Sequence, residues 1–90
     1  MKFGIVIQID RKRIRLQAER IYISDKIERY EIRGRNKALT FQSNRPLLRN
    51  KGIKHRVPDY KLVAGVINTV GITDKIIQAL HNFIVKTENH

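Results

Sequence analysis

"KIERYEIRGRNKALTFQS", residues 26–43, is the stretch that decides the fold. Tyr30 and Ile32 alternate with Arg29, Glu31 and Arg33. That is the two-residue period of a strand with one apolar and one wet face. The alternation returns at Leu39 and Phe41, with Thr40 and Gln42 between them. "GRNK" (Gly34–Lys37) separates the two runs, and Gly and Asn both tolerate positive φ. The stretch reads as an antiparallel hairpin whose outer face is polar and cationic.

Toward the N-terminus the same period continues. "RIRLQAERIYIS" (residues 13–24) alternates, but its apolar phase moves from Ile14, Leu16 and Ala18 to Ile21 and Ile23. A one-residue slip turns side chains to the opposite face. A β-bulge near Glu19 is therefore expected, so that both halves point inward. "KFGIVIQID" (residues 2–10) places Phe3, Ile5, Ile7 and Ile9 on one side, and Asp10-Arg11-Lys12 forms a tight connection to the next strand.

Toward the C-terminus, "RPLLRNKGIKHR" (residues 45–56) carries five Lys or Arg residues and no acid. Pro46 and Gly52 break regular structure, so the segment reads as a long connection anchored by Leu47, Leu48 and Ile53. "YKLVAGVI" (residues 60–67) regains strand character. The period then changes. Ile76, Ile77, Leu80, Phe83 and Ile84 make one helical stripe over about residues 73–87, with Thr73 as N-cap and Asp74 in the first turn. The expected fold is α+β: an antiparallel β-meander of four to five strands followed by one C-terminal α-helix packed on the sheet. It is one domain, residues 1–90, with a basic strand-rich part over residues 1–67. The order of strands and helix resembles, in topology, the β-β-β-β-α units of purine-rich-element and Whirly single-strand binders.

Charge is the strongest functional signal. The net charge is +11, and residues 1–61 hold 17 of the 19 Lys and Arg residues but six of the eight acids. Residues 62–90 are neutral, with two of each. Such asymmetry points to a polyanionic partner. Arg11, Arg13 and Arg15 share one side of the second strand, and Arg29 and Arg33 one side of the third. Arg45, Arg49, Lys51, Lys54 and Arg56 extend this basic track, which matches the regular charge of a nucleic-acid backbone. Tyr22 is the candidate for base stacking.

Other chemistries lack residues. There is no cysteine, which excludes disulfides and thiolate metal sites. His55, His81 and His90 share no metal-ligand spacing. No nucleophile motif, Walker loop or carboxylate constellation is visible, so no enzyme, cofactor, metal or small-molecule substrate is expected. No run approaches the ~20 apolar residues of a membrane span. Gln8 and Asp10 interrupt the only apolar N-terminal run, so no secretory leader is expected, and a cytoplasmic location is.

The leading expectation is a small basic module that contacts the phosphate backbone of DNA or RNA, with single strands favoured because no basic recognition helix is visible. The alternative is a protein-interaction or scaffold module, either a homodimer or a dock for an acidic protein.

Overall fold

The computed structural model describes residues 1–53, 56–67 and 71–88. Five strands form one sheet: β1 (Lys2–Ile9), β2 (Lys12–Ile23), β3 (Glu28–Gly34), β4 (Lys37–Ser43) and β5 (Tyr60–Ala64). Their order in the sheet is their order in the chain, and every pair is antiparallel. A short helix, α1 (Arg45–Asn50), follows β4, and a long one, α2 (Ile72–Glu88), follows β5. This is the expected meander with a C-terminal helix on the sheet.

The alternation read from the sequence becomes the two faces of the sheet. Phe3, Ile5, Ile7, Ala18, Tyr30, Ile32, Leu39 and Phe41 are buried on one face, beneath Ile76, Leu80 and Ile84 of α2. The helix lies chiefly over β1. There the Phe83 ring stacks on Phe3, with centroids 3.9 Å apart and planes parallel within 1°. Phe3 in turn meets Tyr30 edge-on at 6.1 Å. Lys75 Nζ donates to the Gln8 carbonyl at 2.6 Å and pins the start of the helix to the end of β1.

Three local features differ from the sequence reading. Residues 45–50 form a helix where a connection was expected. Pro46 sits in its first turn, where a missing N–H costs nothing, and Leu48 is buried. Six residues are too few to display a helical period. Thr73 is not the N-cap of α2. The first helical bond runs from Lys75 N to the Gly71 carbonyl, and Gly71 adopts φ +85°, which suits glycine. The bulge in β2 falls at Ile21 rather than near Glu19, because the register with β3 shifts between Arg20 and Tyr22.

That last displacement has a polar cause. Glu28 is fully buried on the inner face at the end of β3. Arg45 reaches it from α1 with Nε donating to Oε2 at 2.6 Å and Nη2 to Oε1 at 2.8 Å. The Tyr30 hydroxyl donates to Oε1 at 2.9 Å, and Arg20 Nη1 lies 4.0 Å away. Placing Arg20 on the inner side, opposite Tyr30, supplies a second cation to a carboxylate that cannot stay charged alone in the core. Ile21 at the bulge and Ile23, opposite Glu28 at the end of the strand, are left about half exposed.

Candidate nucleic-acid interface

α2 covers one face of the sheet, and the other face is open. The register orders its side chains in rows across the strands. At one end Gln8 faces Arg13 and Val6 faces Arg15. Next comes Gly4 with Gln17, Arg33 and Ala38, then Lys2 with Glu19, Glu31 and Thr40. The last row is Tyr22, Arg29, Gln42 and Lys61. Among these residues are six cations, and the only acids are Glu19 and Glu31.

Both acids have cationic neighbours. Lys2 Nζ lies 3.8 Å from Glu19 Oε2, and Arg33 Nε donates to Glu31. That hydrogen bond, with the charge of Glu31 behind it, raises the Arg33 guanidinium above its ordinary value. Together Lys2, Gln17, Glu19, Glu31 and Arg33 rim a shallow hollow in the middle of the face.

The expected residues fall into two groups. Arg13, Arg15, Arg29 and Arg33 do share the open face. Arg29 is held in place: Nε donates to Gln42 Oε1 at 3.0 Å, and its guanidinium lies 5.4 Å from the centre of the Tyr22 ring. Arg49 and Lys51 are exposed, but they stand at the end of α1, beyond the β3–β4–β5 end of the sheet opposite to Arg13. About ten residues of β2 separate the two ends, roughly 30 Å of strand. Arg56 is exposed. Lys54 lies outside the described residues. Arg45 has to be removed from the expected interface, because it is buried and committed to Glu28. The hydrogen bonds to Glu28, together with its charge, outweigh the opposing effect of burial and raise the Arg45 guanidinium above its ordinary value.

Other cations join the set. In a meander the first and third turns lie at the same end. The β1–β2 turn brings Lys12 there together with Arg11, which was expected on the second strand but lies in the turn before it, and the β3–β4 turn brings Arg35 and Lys37. With Arg13, Arg15 and Arg33 they form a basic end in which Asp10 is the only acid of residues 10–16 and 33–38. The signal was present in the alternation, since strand parity alone dictates which turns meet. Lys61 was hidden because β5 reads as too apolar to contribute to a wet face.

The inner side of the same end holds a cleft of about 180 Å³ between sheet and helix. Its lining is mainly Ile and Leu, with Arg35 and Lys37 as its charged members. Among the described residues no three His, Asp or Glu side chains converge in a way that holds a metal, and no helix is long and apolar enough to cross a membrane. Comparison with protein-family models, with curated proteins and with solved structures finds no significant match.

Proposed function

We propose that this chain is a small non-enzymatic nucleic-acid-binding module that lays its open sheet face along a phosphate backbone. One observation carries the reading. The face that α2 leaves uncovered holds six Lys or Arg residues against two paired acids, and it runs into a turn-built end that adds four more cations. Solubility does not require so one-sided a surface. Gln8, Gln17, Thr40 and Gln42 stand between the cations as neutral donors to phosphate or sugar oxygens. An open sheet face and, among the described residues, the lack of a basic recognition helix favour single strands.

A titration with random single-stranded and duplex oligonucleotides at several salt concentrations tests this. About four to six phosphate contacts imply that log K falls linearly with log salt, with a slope of roughly −3 to −5. Binding without salt dependence, or no binding, rejects the proposal.

A second reading rests on a different observation. Ile21 and Ile23 are half exposed on a part of β2 that extends past its pairing with β1, which ends at Glu19. An apolar edge of this kind suits a protein partner or a second copy of the chain. Sedimentation of the free protein separates the two, since the homodimer form requires a concentration-dependent mass.

A further inference from the structure

We infer that Tyr22, Arg29, Gln42 and Lys61 form a base-stacking subsite that makes the open face selective for unpaired bases. The inference rests on the nucleic-acid reading above and names the part of the ligand that reading leaves open.

The four residues occupy one row across four adjacent strands. Strands lie ~4.8 Å apart, so the row spans about 14 Å, enough for more than one nucleotide. Unlike the neighbouring row, it contains no acid. Tyr22 remains 47% exposed although Arg29 stands over its ring at 5.4 Å.

The row is also set before any ligand arrives. Gln42 holds the Arg29 guanidinium, and that guanidinium holds the ring by a cation–π contact. A ring fixed in this way loses little freedom on binding. A flat base placed on it gains stacking from the tyrosine and attraction from the adjacent cation, whichever base it is. Lys61, exposed at the far end of the row, is placed for the next phosphate. In a duplex the base faces are already stacked on one another, so this gain belongs to single strands. Stacking reads the face of the base rather than the sugar, so DNA and RNA strands both satisfy it.

The test separates bases from phosphates. Three strands of about twelve nucleotides are titrated by fluorescence anisotropy: oligothymidylate, oligouridylate and an abasic strand of equal phosphate number. The intact chain is expected to bind both base-bearing strands roughly ten-fold tighter than the abasic one. Tyr22→Ala is expected to remove that advantage and leave abasic binding unchanged, while Tyr22→Phe retains it. The salt slope is expected to be the same for all three proteins, because no phosphate contact is lost. Equal binding of base-bearing and abasic strands by the intact chain overturns the stacking subsite yet leaves backbone binding standing. That comparison needs no variant, so it does not depend on how Tyr22→Ala folds. If the intact chain binds none of the strands, the underlying nucleic-acid reading fails as well.

Discussion

Arg45 and Glu28 are seventeen residues apart in the chain and form a two-pronged ion pair at a point where Glu28 has no exposed surface. The pair joins α1 to the end of β3, and it explains why a basic segment that looks solvated in the sequence starts with a buried arginine.

Removing Arg45 leaves the buried Glu28 charge with only the Tyr30 hydroxyl and the more distant Arg20 against it. Arg45→Met is expected to lower stability by about 3–5 kcal/mol in urea melts. Replacing both groups, as Arg45→Met with Glu28→Leu, is expected to recover most of that loss, because an apolar pair needs no desolvation of charge. A double variant no better than Arg45→Met shows that the pair's geometry, and not its charge balance, holds α1 in place.

Two tyrosines predict the alkaline limit of the fold. Burial first, then the adjacent Glu28 carboxylate and the hydrogen bond to it, raises the Tyr30 phenol well above its ordinary value. Burial raises Tyr60 from 10.0 to about 12, with its hydroxyl 3.2 Å from His81 Nδ1. A raised folded pKa means that the folded state keeps a proton the unfolded chain releases. Their contribution to stability is thus complete below pH 10, the ordinary phenol value; that of Tyr60 is lost as pH climbs toward 12, and that of Tyr30 declines over the same range and beyond it. Melts across this range should show falling stability, and Tyr60→Phe should flatten the decline. An equally steep decline in that variant assigns the alkaline limit to other groups.

Gly65 closes β5 with φ +91°, and a Cβ there would lie 2.8 Å from the Ala38 carbonyl oxygen and 2.7 Å from Leu39 Cδ2. Gly65→Ala combines backbone strain with a clash against main chain, and a loss of about 2–4 kcal/mol is expected. Gly52→Ala is the comparison: it also has positive φ, +71°, but nothing lies within 4 Å of its Cβ position, so about 1 kcal/mol is expected.

The two basic ends should contribute unequally to binding. Arg13, Arg15 and Arg33 changed together to Gln remove cations from the open face, and the salt slope should flatten by about two to three. Arg49, Lys51 and Arg56 changed to Gln act beyond the opposite end of the sheet, and a change of less than about one is expected. The reverse ranking would place the partner on the α1 side. Neither triple variant should shift the melting midpoint appreciably, since exposed charges contribute little to stability.

The architecture was legible wherever a long alternating run recorded which face was buried. Tyr30, Ile32, Leu39 and Phe41 had to share a side, and the stripe from Ile76 to Ile84 had to cover them. The positions of Arg13, Arg15, Arg29 and Arg33 follow from the same parity. Legibility failed where a single polar group overrode the pattern. The alternation that turns Tyr30 and Ile32 inward assigns Glu28 to the same side and Glu31 to the other, but nothing local says that a carboxylate keeps that place, and its burial draws in Arg45 and engages Arg20 beside the bulge at Ile21. α1 was missed for lack of length, and the Gly71 cap because Thr73 offers a better side chain two residues later.

The stack of Phe83 on Phe3 bears on the order of folding. Each strand pairs with its neighbour in sequence, so the meander assembles through small loops, whereas α2 must close a loop of nearly the whole chain to reach β1. The helix should therefore dock after the transition state. Leu80→Ala empties a fully buried position and should cost about 2–5 kcal/mol, and that loss should speed unfolding while leaving the refolding rate nearly unchanged. Stopped-flow chevrons would read this directly, and a matching fall in the refolding rate would place the helix in the nucleus.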